Sequence, residues 1–175
     1  MEYPQLAKRV ELVDQDRLKE LICSRFSIAK EAFDGLVFFQ SNRRLVSLVN
    51  ADHMPPVGHR VQATGLPFVH TGMAMPKLTT AATFFIGSRA KRNVIDLTHS
   101  QTDAFLSREM VILLDGQLDS CSDAGYVIVR HQGVIVGLGF LRVSDDGCAT
   151  LESYFPKSWS IEQGSTAFDG PGARP

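Results

Sequence analysis

The sequence predicts an α+β protein in two parts. Residues 1–89 read as a small α/β unit, and residues 90–159 as a strand-rich unit of barrel type. Three observations carry this. Residues 16–25 space their apolar side chains as a helix does. Residues 126–141 hold two runs rich in valine and isoleucine around a short polar loop. Between them Gly87-Ser88-Arg89-Ala90-Lys91-Arg92-Asn93 breaks the apolar pattern and places three cations within four residues.

Within the first part, Leu18, Leu21 and Ile22 fall between charged residues at helical spacing, which makes one apolar face. Ile28, Ala32 and Phe33 extend roughly helical spacing into a second short helix over 26–34. Residues 36–40 and 45–49 read as strands around Ser41-Asn42-Arg43-Arg44. The two arginines at that tip read as solvated charge, with RNA contact as the sharper alternative. Two prolines within 52–58 break the pattern, and 61–71 gives one or two strands divided near Gly65-Leu66-Pro67. Met73 and Met75 read as adaptable packing. Residues 79–86 form a helix ending at Gly87, although the β-branched residues leave a strand open.

In the second part, 94–97 reads as a strand. Thr98 and Gln101 have capping-box spacing for a helix that runs through Phe105 and Leu106. Residues 110–114 read as an apolar strand and 115–124 as a polar loop. The hairpin pairs 126–130 with 134–141 across His131-Gln132-Gly133, where glycine supplies a positive φ. Asp145-Asp146-Gly147 turns the chain into a third strand over 149–151. Gly137 and Gly139 lie two apart and so leave one strand face bare at both positions. That predicts a sharp bend, a bulge or the close approach of another group. After Trp159 the polar, Gly- and Pro-rich stretch 160–175 reads as disordered.

Several chemistries lack their residues. Val136-Gly137-Leu138-Gly139 runs on into strand, with no helix start and no lysine to cradle a phosphate. His53, His59, His70, His99 and His131 do not combine with cysteine or acidic residues at zinc-ligand spacing. No nucleophile elbow occurs, and Asp115, Asp145 and Asp146 read as turn formers. No enzyme activity, metal or cofactor is expected. Cys23, Cys121 and Cys148 are odd in number and far apart, which fits a reducing compartment, with the cytoplasm as the expected location. No apolar run reaches membrane-spanning length, so no membrane partner is expected. A net charge of −1 means that any nucleic-acid contact must come from a local basic patch.

Gly125-Tyr126-Val127-Ile128-Val129-Arg130, the turn at Gly133, Ile135-Val136-Gly137-Leu138-Gly139-Phe140 and the closing Tyr154-Phe155-Pro156-Lys157 together resemble a PUA domain. This is the RNA-binding module named for pseudouridine synthases and archaeosine transglycosylases. The stretch 93–157 carries the resemblance. It is similar to the PUA-type tail of Sun-type ribosomal RNA cytosine methyltransferases, and to ribosome-biogenesis factors built from a pre-PUA and a PUA domain. The resemblance implies a pre-PUA-like α/β domain over 1–89 and a PUA-like β-barrel domain over 90–159. About 124 residues precede the hairpin. They lack a glycine-rich strand–helix turn for a methyl-donor cofactor and the catalytic proline–cysteine pairing, so the resemblance implies binding and not methylation.

The function so implied is that of an RNA-binding accessory protein in ribosome biogenesis or RNA modification. Its target would be structured RNA, ribosomal or transfer, gripped mainly by backbone and shape. Ribosome-assembly or RNA-modification proteins would be its further partners. The expected contacts are Arg89, Lys91, Arg92, Arg130, Arg142 and Lys157, joined in one basic surface, with Gly137 and Gly139 as close-approach positions. The alternative is a PUA-like protein-interaction adaptor without RNA affinity, which the near-neutral net charge favours.

Overall fold

The computed structural model describes residues 14–42, 44–53, 64–73, 75–145 and 147–160. Arg43, Asp146, the first residues of the strand region expected over 61–71, and 161–175 of the tail lie outside the described residues. The fold is α+β, with three α-helices and two sheets among the described residues.

Helix α1 spans Gln15–Phe26. The Asp14 side chain accepts from the Arg17 N–H at 3.0 Å and caps its start. Leu18, Ile22, Cys23 and Phe26 are buried along one stripe, and Ser27 ends the helix at φ 49°. A single 3-10 turn, Lys30–Phe33, replaces the second helix expected there and buries Phe33. Strands β1 (Leu36–Asn42), β2 (Leu45–Asn50), β3 (Leu66–His70) and β4 (Lys77–Leu78) form an antiparallel sheet in chain order. Phe33, Phe38, Phe68 and Phe85 join beneath it in tilted and edge-on contacts, with ring centroids 5.5 to 6.0 Å apart.

Helix α2 spans Thr80–Gly87, and Thr79 caps it by accepting from the Ala82 N–H at 3.1 Å. That cap decides for a helix where the β-branched residues left a strand open. Gly87 ends the helix for a different reason than expected. The C-cap is Ser88 in a right-handed conformation. A Cβ on Gly87 would sit 2.8 Å from Ile135 Cδ1, so the glycine lets α2 close onto the second sheet.

The second sheet is built from β5 (Val94–Asp96), β6 (Val111–Ile112), β7 (Gly125–His131), β8 (Val134–Val143) and β9 (Ala149–Ser153), with α3 (His99–Leu106) between β5 and β6. Its order is β5-β7-β8-β9-β6, a curled half-barrel. β5 runs parallel to β7, with Val94 opposite Ile128 and Asp96 opposite Arg130. The capping box on α3 forms as expected: Thr98 accepts from the Gln101 N–H, and Gln101 accepts from the Thr98 N–H. Gln132 and Gly133 both take positive φ in the β7–β8 turn.

The continuous apolar runs of β7 and β8 reflect burial on both faces. Val127, Val129, Leu141 and Leu151 point into the half-barrel with Ile95 and Phe105. Ile128, Leu138 and Tyr126 point the other way and join Leu18, Ile22, Phe26, Phe68 and Ile86. One hydrophobic cluster therefore runs from α1 through the first sheet onto the outer face of the second.

Gly137 and Gly139 both face the half-barrel interior. A Cβ on Gly139 would lie 2.6 Å from Leu151 Cδ1 and 3.2 Å from Val129 Cγ2; one on Gly137 would lie 3.4 Å from Phe105 Cε1. The close neighbours are side chains. Gly139→Val is expected to cost about 1–3 kcal/mol by overpacking. In a chain of this size that lowers the melting temperature by about 2–4 °C per kcal/mol. Urea melts of the two proteins check it, and coincident curves would rule out a tight fit here.

The strand expected over 110–114 shortens to β6, and Met110, Ile112 and Leu114 are exposed around it. β5 and β6 are the edges of the half-barrel, and the loop expected over 115–124 fills the seam between them. Gln101 Nε2 donates to the Ile112 carbonyl on β6 (2.9 Å), and Gln117 Nε2 to the Asp96 carbonyl on β5 (2.7 Å). The two amides also bond each other at 2.9 and 3.0 Å. The Ser120 carbonyl accepts from the Asn93 N–H at 2.8 Å, and its hydroxyl bonds both the Val94 N–H and the Val94 carbonyl. Side-chain amides and a hydroxyl thus stand in for a ladder, and backbone groups at both edges are satisfied without another strand.

Candidate nucleic-acid interface

The basic segment is fixed at the end of α1. The N–H groups of Lys91 and Arg92 both donate to the Phe26 carbonyl, at 2.9 and 3.2 Å. Asn93, fully buried at φ 54°, locks the entry into β5. Its Nδ2 donates to the Arg25 carbonyl at 2.7 Å, and its Oδ1 accepts from the Ser122 N–H at 3.1 Å. Asparagine tolerates the left-handed conformation better than most residues, and here its side chain ties α1 to the 120–123 loop as well. The sequence offered only the position of Asn93, before a strand, as a signal.

The expected cations divide in two. Parallel register sets Arg92 near the level of Tyr126, at the open end of the β7–β8 hairpin. Arg142 lies at the same end, next to the Gly125–Leu141 pair. Arg130 is near the turn end, opposite Asp96. From Ile135, the register partner of Arg130, to Arg142 is about 23 Å along the strand, so these two do not share one patch. Arg130 pairs with Asp96 at 2.8 Å and Arg142 with Glu152 at 2.7 Å. Arg89 is exposed, its guanidinium turned back to the Phe85 carbonyl at 2.9 Å and over the Phe85 ring at 5.6 Å. Lys91, Arg92 and Lys157 are exposed, and no side-chain partner holds them among the described residues. Of the arginine pair at the first hairpin tip, Arg44 is exposed and Arg43 lies outside the described residues.

Tertiary structure adds cations that periodicity does not reveal. Arg92 lines an open groove of about 370 Å³ with Arg25, Ser24, Met75, Ser122 and Asp123. Arg25 crosses its floor: Nε donates to the Tyr126 carbonyl at 3.1 Å and Nη1 to Asp123 at 3.1 Å. A Cβ on Gly125 would meet Arg25 Nη2 at 2.7 Å, so the left-handed glycine that opens β7 also makes room for this guanidinium. Beyond Met75 and Pro76, the Lys77 ammonium sits 3.6 Å over the Tyr154 ring. Tyr154 and Phe140 each make edge contacts with Tyr126, at 5.7 and 5.0 Å, and the Arg142 guanidinium lies 5.0 Å from the Phe140 centroid. Burial, and after it the charge of Arg108, pushes the Lys77 ammonium below its ordinary pKa, against the pull of Glu152.

At this end of the hairpin, Arg142 pairs with Glu152 beside the Phe140 ring and Lys77 lies over Tyr154, so that cations interleave with aromatic rings. Such a surface can neutralise phosphates and present ring faces to bases. The remaining titratable groups do not assemble in this way. His99 and His131 approach at 5.8 Å, and no group of three metal-capable side chains occurs among the described residues. Cys23 is buried in α1, and desolvation raises its thiol pKa ahead of the lowering effect of Lys19. No helix among the described residues is long and apolar enough to cross a membrane. No protein-family model matches the chain, and no curated protein matches it.

Proposed function

We propose that this chain is an RNA-binding accessory protein of ribosome biogenesis or RNA modification, which recognises structured RNA mainly through its backbone. In this reading residues 1–89 act as a pre-PUA-like domain and 90–159 as a PUA-like β-barrel domain, in the cytoplasm, and no catalytic step is assigned. One observation carries the reading: Lys91, Arg92 and Lys157 are exposed and unpartnered among the described residues, so their charge is free for phosphate. The resemblance of 93–157 to PUA domains and the cation–aromatic cluster at Lys77 and Tyr154 support it further.

A filter-binding titration against a structured ribosomal or transfer RNA fragment tests the reading. Three phosphate contacts give a slope of log affinity against log salt of about −2 to −3. Absence of binding at low salt, where this electrostatic effect is largest, would end the RNA reading. A protein-interaction adaptor is the second reading, and the exposed apolar residues Met110, Ile112 and Leu114 at alternate positions around an edge strand favour it.

A further inference from the structure

We propose that Phe155 and Trp159 form a stacking site for an unpaired RNA base, with Arg108 holding the phosphate beside it. The proposal rests on the RNA-binding reading and adds which part of the RNA this end of the protein takes: a base unstacked in a loop or single strand.

Trp159 is the only tryptophan in the chain, and 58% of it is exposed. It closes a 3-10 turn that begins at Lys157, one of the free cations. Its ring meets Phe155 edge-on at 6.2 Å and 70°, a contact that leaves the indole uncovered. Phe155 is itself held. Its N–H donates to Ser153 Oγ at 3.1 Å, the Ser153 hydroxyl donates to the Phe105 carbonyl at 2.7 Å, and its ring packs over Gly137 and the half-barrel core. Rigid mounting of an exposed aromatic lowers the ordering entropy that a bound base must offset.

Arg108 supplies the charge, and its backbone makes the choice of residue informative. It lies just past the end of α3 at φ 62°, where the Arg108 N–H donates to the Phe105 carbonyl (3.1 Å) and the Glu109 N–H to the Ala104 carbonyl (2.9 Å). This is a Schellman helix end, and its left-handed position is normally glycine, which has no Cβ to clash. An arginine here works against local conformation. It also stands close enough to Lys77 to depress that ammonium, and its guanidinium donates to the Phe155 carbonyl. A strained arginine bonded to the Phe155 backbone, with the Phe155 ring against an open indole, matches a ligand with a π face and a negative charge, which a nucleotide of single-stranded RNA provides.

The test monitors Trp159 fluorescence and labelled-RNA anisotropy on the full chain. The probes are a mixed-sequence single-stranded oligoribonucleotide and the blunt duplex of the same sequence. Single strand should quench the emission and duplex should not. Trp159→Ala and Arg108→Gly should each lower single-strand affinity by about tenfold, and Trp159→Phe should retain most of it. Arg108→Gly should melt no lower than the parent, because glycine suits the left-handed position. Single-strand binding with unchanged emission and unchanged affinity in both variants overturns the proposal, as does binding confined to duplex. Either result leaves the RNA reading standing. Failure of both RNAs to bind at low salt overturns the RNA reading and this site with it.

Discussion

Reversing two charges, Lys91→Glu together with Arg92→Glu, is expected to weaken binding to structured RNA by about thirtyfold or more at about 0.15 M salt. Each lost phosphate contact removes about fivefold in affinity at that salt, and two carboxylates add repulsion. The salt slope should flatten by about 1.4 to 1.8. Folding should be unaffected, since both side chains are exposed and hold no partner among the described residues. The N–H groups that dock this segment on the Phe26 carbonyl are retained in the variant. Filter binding at two salt concentrations, with a thermal melt, checks all three points. Unchanged affinity and slope would move the RNA contact away from the junction.

Asn93→Ala is expected to destabilise by about 3 kcal/mol or more, the sum of the lower ends of three costs. Alanine at φ 54° incurs a left-handed penalty of about 1–2 kcal/mol. The Arg25 carbonyl and the Ser122 N–H then each lose a buried bond, at about 1–3 kcal/mol apiece if nothing replaces it. The melting temperature should fall by about 6–12 °C for a loss near 3 kcal/mol. Asn93→Gly separates the two causes: it restores the backbone and leaves only the orphaned groups, so it should melt above the alanine variant. Equal melts for the two would show that conformation contributes nothing at this position. A loss under about 1 kcal/mol in both would show that the bonds are replaced by water.

Local signals carried most of the elements. Thr98 and Gln101 mark the start of α3 because a capping box is written in four consecutive residues. Gln132-Gly133 marks the hairpin because a short turn demands positive φ. What escaped depends on residues far apart in the chain. Parallel pairing of β5 with β7 has no signature in Val94-Ile95-Asp96. The strand expected over 110–114 overreached because apolar character at Met110, Ile112 and Leu114 suggested burial, whereas these side chains face outward. Of the candidate interface, the free cations at 91, 92 and 157 were visible as sequence charge. The ion pairs of Arg130 and Arg142, and the meeting of Lys77, Arg108 and Tyr154, were not. Each is made by side chains from different elements, and only the folded arrangement decides whether a cation is spent on a carboxylate or left for a ligand.

The glutamine seam has a consequence for the behaviour of many copies in one solution. The rims of an open sheet offer unpaired N–H and C=O groups on which a foreign strand can grow, the first step toward aggregation. On β5 those groups are already engaged by Ser120 and Gln117, and on β6 the Ile112 carbonyl is engaged by Gln101. A second molecule must first break the paired amides before it can add there, and it gains no net hydrogen bond by doing so. The rims are also short, three residues on β5 and two on β6, which leaves little length for a template. Three neutral side chains thereby guard these rims of the half-barrel without adding charge to the surface that the RNA-binding reading requires to stay basic.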